Sequence, residues 1–123
     1  MNRTFLLIGA AFGFLGVTFG AFGAHALRSR LSPDMLSVFE TGVRYQVYHA
    51  LAILVVASAM GHFGNARLLG IAGWLFTAGI VLFSGSLYAL ALSDIRILGA
   101  VTPIGGLLFL AGWAALLVFA VSR

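Results

Sequence analysis

Five glycines lie on one face of the first predicted helix. They follow one another at steps of four, three, four and three residues, and at about 100° per residue this spacing forms a single stripe. Glycine costs a water-exposed helix about 1 kcal/mol relative to alanine. In a bilayer, however, small residues let two helices approach closely. The pattern therefore predicts a membrane helix with one face against another helix, the stripe being Gly9, Gly13, Gly16, Gly20 and Gly23.

The composition indicates an integral membrane protein. The chain is 62% hydrophobic and 8% charged, with a mean hydropathy of +1.11, against roughly 45–50% apolar and 25% charged residues in soluble domains. It has no cysteine, which excludes disulfides and thiolate chemistry. The net charge of +4 comes from seven arginines, with no lysine, against three acidic residues. These arginines are scattered near segment ends as expected for headgroup anchors, so we predict no nucleic-acid partner.

The hydrophobic segments predict an all-α fold, a single domain with a bundle of four transmembrane helices. The helices are expected at about 5–27, 41–61, 68–92 and 103–121. Ser32-Pro33 and Thr102-Pro103 are typical helix starts, with a capping side chain before a first-turn proline. Residues 33–40 are amphipathic and predict a short interfacial segment before helix 2. We expect the first segment to be a retained helix rather than a signal peptide.

Four antiparallel helices place both termini on the same side of the membrane. Three arginines are expected on that side and four on the other, so the positive-inside rule predicts no orientation.

The third segment carries small residues along one face, among them Gly70 and Gly73. The glycine stripe of helix 1 is therefore expected to pack on helix 3, or on helix 1 of a second copy, as an assembly surface.

Polar residues cluster around the start of the second span. On a helix, Glu40, Arg44 and Tyr48 form one stripe, and Tyr45 and His49 form a second stripe beside it, while Gln46 points elsewhere. Glu40 and Arg44 can pair, which lowers the cost of placing charges at membrane depth. With a tight hairpin after helix 1, these side chains predict a polar or ligand site near one membrane face: His25, Glu40, Arg44, Tyr45, Tyr48 and His49.

This cluster admits structural and functional interpretations. It can lock helices together, relay a proton or bind a lipid headgroup. A metal site from His25, Glu40 and His49 lacks the close spacing of known ligand motifs, so we predict no metal and no cofactor. The chain contains no G-x-S-x-G motif, and serines within an apolar helix are typical of packing. We therefore predict no enzymatic activity.

Several stretches resemble the YgdD/YwdK-like family of small bacterial inner-membrane proteins of unknown function, to which a group of small eukaryotic transmembrane proteins is related. The resemblance covers essentially the whole chain and rests on GAFGAHAL (20–27), TGVRYQVYHALA (41–52), LFSGSLY (82–88), LGAVTPIGG (98–106) and Gly112-Trp113. It implies four transmembrane helices and a location in the inner (plasma) membrane, and it implies no activity. Its motif residues are candidates without roles: His25, Arg44, Tyr45, Tyr48, His49, Ser84, Tyr88, Thr102 and Pro103.

The function predicted from these features is that of a packing or interaction protein with a polar site at one membrane face. Its expected partners are membrane lipids and either a second copy or a larger membrane complex. Two alternatives remain open, namely a small oligomeric transporter or channel-like module that uses the polar cluster, and a protein that binds lipid headgroups through arginine.

Overall fold

A computed structural model describes residues 2–123, and in this part of the chain the regular structure is helical. The four long helices are α1 (Arg3–Leu27), α2 (Pro33–Phe63), α3 (Arg67–Ser93) and α4 (Thr102–Val121), with a 3₁₀ turn over Arg96–Ala100 before α4. All four segments are long and apolar enough to cross a membrane. The predicted fold class, a four-helix transmembrane bundle, is confirmed.

Helix α2 is a single element of 31 residues. It begins as predicted at the Ser32 cap, whose Oγ accepts the Met35 N–H at 3.2 Å. Residues 33–40, predicted as a short interfacial segment before helix 2, are continuous with the span, because no proline or turn interrupts the helix between Pro33 and its end at Gly64. At about 46 Å, α2 exceeds the roughly 30 Å of hydrocarbon in a bilayer, so part of it extends into the headgroup layer.

The start of α4 also differs from the sequence prediction. Thr102 is already helical, and the residue that precedes the helix is Val101, at the end of the 3₁₀ turn. The Thr102 hydroxyl is instead 2.6 Å from the Ser86 hydroxyl of α3. Tertiary hydrogen bonding has therefore replaced the local cap.

Two of the helices contain a π-helical turn, Phe19–Gly23 in α1 and Ile80–Ser84 in α3. Such turns widen a helix locally and shift the direction of the residues that follow. Both lie next to the same part of the bundle. Phe19 packs on the Tyr88 ring, and Ser84 donates a hydrogen bond to the Gly42 carbonyl.

Helices α2 and α3 form the centre of the bundle. Helix α1 packs mainly on α2, and α4 packs mainly on α3. The spans of α2 and α3 are accordingly more buried than those of α1 and α4. We call the membrane side that holds both chain ends the terminal side, and the side that holds the α1–α2 and α3–α4 connections the hairpin side.

The glycine stripe of α1 packs on α2, so the prediction that it packs on α3 was wrong. A Cβ built on Gly9, Gly16 or Gly20 would lie 2.7–2.9 Å from side-chain atoms of α2, and one on Gly23 would lie 3.3 Å from Phe39. Gly13, by contrast, has no atom within 4 Å of such a Cβ. The contacts follow an antiparallel register in which the stripe meets Leu54, Val47, Val43 and Phe39 in turn.

The small residues of α3 have other neighbours. Gly73 accommodates the Phe5 ring, whose nearest atom would lie 2.5 Å from a glycine Cβ, and Gly70 faces the end of Met60 at 3.9 Å. The side of the core around these residues is apolar, built from Phe5, Val56, Met60, Leu69, Phe76 and Phe119 among others. Most polar side chains of the interior lie nearer the hairpin side, which is where the candidate site is found.

Candidate functional site

Gln46 connects three helices through its side-chain amide. Its Nε2 donates to the Phe12 carbonyl of α1 at 2.9 Å, and its Oε1 accepts the Tyr88 hydroxyl of α3 at 2.6 Å. Gln46 is 3% exposed. Gly16 borders this contact, since a Cβ there would lie 3.6 Å from the Gln46 amide nitrogen. The tighter neighbour of position 16 is Val47, whose Cγ2 would lie 2.7 Å from the same Cβ.

His49 has partners at both ring nitrogens. Nδ1 lies 2.8 Å from the Tyr45 carbonyl, and Nε2 accepts the Trp113 indole N–H at 3.0 Å. A carbonyl can only accept and an indole N–H can only donate, so these partners specify the tautomer with hydrogen on Nδ1. The ring is 5% exposed and stacks on Phe109 at 3.6 Å between centroids. His49 thus joins α2 to α4 inside an aromatic cluster.

Two serines of α3 complete the polar contacts between helices. Ser84 donates to the Gly42 carbonyl of α2 at 2.7 Å and is 1% exposed. Ser86 lies 2.6 Å from the Thr102 hydroxyl of α4. Among residues 2–123, every buried side-chain nitrogen or oxygen has a hydrogen-bond partner. The interior polar groups therefore bind one another across helices.

The predicted polar cluster is divided by the structure. His49 is buried, whereas the other five members are exposed: His25, Glu40, Arg44, Tyr45 and Tyr48. The cluster was therefore wrong as a single site. The cause is the helical register of α2, which turns Gln46 and His49 toward the bundle and the charged residues away from it.

Glu40 and Arg44 do not form the predicted ion pair. Within residues 2–123, the ion pair within 4.0 Å is that between the exposed Arg96 and Asp94, at 3.1 Å. Glu40 and Arg44 instead line an open groove between α1 and α2 on the hairpin side, with a volume of about 270 Å³. Its other lining residues are Gly20, Ala24 and Val43.

The histidines and acidic residues do not converge on a metal centre. In the part of the chain that the structure describes, no three His, Cys, Asp or Glu side chains are grouped closely enough to hold an ion. The possible set of His25, Glu40 and His49 is not brought together. His25 lies in the last turn of α1 and does not line the groove.

Six side chains that form hydrogen bonds between helices were missed as site residues by the sequence interpretation: Gln46, Ser84, Ser86, Tyr88, Thr102 and Trp113. Gln46 was set aside because it lies off the stripe of charged residues, although a glutamine within a span is itself a signal of a buried partner. Ser84 and Tyr88 had been noted as motif residues, and Trp113 as an interfacial or packing aromatic. No local spacing pairs them with α2, since the Trp113–His49 bond joins residues 64 positions apart.

Comparison with known proteins places this chain in a family of unknown function. A family model described as "Protein of unknown function (DUF423)" matches residues 19–106. The chain is 48% identical to UPF0382 membrane protein SH2409 of Staphylococcus haemolyticus over 94% of this chain and 93% of that protein. It is 46% identical to UPF0382 membrane protein YwdK of Bacillus subtilis over 98% of both chains. No solved structure matches the chain significantly.

Proposed function

The chain belongs to the DUF423 family of membrane proteins, and we propose that it is a non-enzymatic protein of the inner (plasma) membrane that acts by binding lipid or protein within the bilayer. The observation that supports this proposal is that every buried side-chain nitrogen or oxygen among residues 2–123 already has a hydrogen-bond partner. His49 is the buried histidine of the bundle, and both its nitrogens are bonded to Tyr45 and Trp113. A group so held contributes to helix association rather than to chemistry.

The same arrangement argues against the transporter alternative. A proton or solute pathway needs polar groups that can exchange partners with water or with the cargo. Here Gln46 and Ser84 are 3% and 1% exposed, and each binds an atom of a neighbouring helix. The exposed charges of the groove are instead free to meet a partner from outside.

The inner membrane fits the architecture and the relatives. Helical spans satisfy their own backbone hydrogen bonds, so a bundle of four can insert without a larger complex. The curated relatives are bacterial and are named membrane proteins. Lipids are the obligatory neighbours of its broad apolar surface, and a second copy or a larger complex is the other class of partner that we propose.

Flux measurements in liposomes test this proposal. The purified wild-type protein is expected to give no proton or solute flux above that of empty vesicles. Native mass spectrometry of the same preparation is expected to retain bound lipid or a second copy. Flux that disappears in Arg44→Ala or His49→Ala would overturn the proposal and establish the transporter alternative.

A further inference from the structure

The groove between α1 and α2 has an apolar floor and a charged rim. The α1 side is formed by Gly20 and Ala24, which have at most one methyl group and lie in or just after the π-helical turn. Val43 of α2 completes the floor, while Glu40 and Arg44 form the rim. The groove is open to the outside and holds about 270 Å³. A groove of this kind suits an amphiphile better than a fully soluble ligand.

The position of the rim along α2 places it at headgroup level. Helix α2 is about 46 Å long, while the hydrocarbon layer is about 30 Å thick. The hydrophobic stretch over 50–60 lies toward the terminal side, so the excess length lies toward the hairpin side. Glu40 and Arg44 are in this part of the helix. The floor of the groove therefore extends from the lipid phosphates toward the acyl chains.

The two rim charges are available to a ligand. Glu40 and Arg44 are one helical turn apart and both exposed, and neither has an oppositely charged group within 4.0 Å among the described residues. A guanidinium forms strong paired hydrogen bonds with a phosphate. A carboxylate accepts hydrogen bonds from an ammonium group. The rim thus presents one partner for an anion and, beside it, one partner for a hydrogen-bonding cation.

We propose that this groove binds a phospholipid whose headgroup carries both a phosphate and a primary ammonium, as in phosphatidylethanolamine. Arg44 binds the phosphate, and Glu40 accepts hydrogen bonds from the ammonium. A quaternary choline has no N–H to donate to Glu40, and a glycerol headgroup carries no cation. This inference deepens the binding role proposed above and depends on it.

Native mass spectrometry with matched acyl chains tests the selectivity. Wild-type protein is offered phosphatidylethanolamine, phosphatidylcholine or phosphatidylglycerol, and the ethanolamine lipid is expected to be retained most strongly. Arg44→Gln is expected to weaken retention of all three about tenfold, as for loss of one charge-assisted hydrogen bond. Glu40→Gln removes the negative charge but keeps a carbonyl acceptor, so it is expected to reduce the preference for the ethanolamine lipid over the choline lipid while retaining both.

Arg28→Gln is the matched control, because Arg28 is an exposed arginine at the hairpin-side end of α1 that does not line the groove. It should bind lipids as the wild type does, and circular dichroism should show all three variants folded. Equal retention of the three lipids by the wild type, or unchanged retention by Arg44→Gln, would overturn the inference.

A further arm uses soluble phosphoethanolamine as the competitor. Failure to displace the lipid supports a lipid site, whereas displacement at comparable concentration overturns it in favour of a soluble ligand. Loss of lipid selectivity leaves the flux result unchanged, so failure of this inference is distinguishable from failure of the proposed function.

Discussion

Trp113 donates its indole N–H to Nε2 of His49 at 3.0 Å, and this bond joins α4 to α2 near the middle of both helices. The indole is half-exposed, whereas the imidazole is buried and stacked on Phe109. A surface side chain therefore completes the hydrogen bonding of a buried one.

The Trp113–His49 bond is expected to stabilise the bundle measurably. Trp113→Phe removes the donor and leaves Nε2 of His49 without a partner, which should lower the free energy of unfolding by about 1 kcal/mol. Reversible unfolding in mixed micelles measures this difference. Trp74→Phe is the control, since Trp74 is similarly exposed and packs edge-on against Phe5. Equal effects of the two substitutions would contradict the structural role of the bond.

Gln46 and Tyr88 are expected to be energetically coupled. Gln46→Leu and Tyr88→Phe each remove the bond between their side chains, so the double variant should lose less stability than the two single losses combined. The coupling energy should be about 0.6 kcal/mol, with an upper range near 1.7 kcal/mol, as for other interhelical hydrogen bonds in membranes. A double-mutant cycle of unfolding free energies measures it, and Tyr48→Phe serves as an exposed control. Strict additivity would show that the bond contributes nothing.

Gly105 is expected to tolerate no side chain. A Cβ at this position would overlap the backbone of Phe83, which cannot move as a side-chain end can. Gly105→Ala should therefore cost about 1–3 kcal/mol, the range for overpacked cores. The adjacent Gly106 is the control, because its Cβ would meet Phe83 at an ordinary 3.9 Å. Thermal unfolding of both variants measures the difference, and a stable Gly105→Ala protein would contradict the close approach of α4 to α3.

The register of α1 on α2 can be tested by cross-linking, because the chain has no native cysteine. Gly20→Cys combined with Val43→Cys should form an intramolecular disulfide under mild oxidation, since a Cβ at Gly20 would lie 2.9 Å from Val43 Cγ1. Gly13→Cys with Val43→Cys is the control and should remain reduced. Non-reducing electrophoresis separates the outcomes. A disulfide-linked dimer from the first pair would instead assign the glycine stripe to a contact between two copies.

The sequence by itself determined the class, the four spans and the existence of a close helix contact. Composition and the length of the apolar segments decide membrane insertion, because the transfer of each residue into lipid depends mainly on its own side chain. The Ser32-Pro33 start was also predictable from the sequence, because a helix cap is local and acts on the backbone only three residues away. The glycine spacing predicted a packed stripe on α1, because helical periodicity is a local property.

Only the tertiary structure decided which groups meet. The glycine stripe packs on α2, the Thr102 hydroxyl is hydrogen-bonded to the Ser86 hydroxyl, and the Trp113 indole N–H donates to Nε2 of His49. These choices depend on the crossing of the helices and on the π-helical turns in α1 and α3, which alter the direction of the side chains that follow. The same geometry turned Gln46 inward and left Arg44 at an open groove. One helix therefore carries both the buried links of the bundle and the exposed charges available to a partner. Its helical spacing puts Gln46 and Arg44 on different faces, but only the packing of the other helices decides which face is buried.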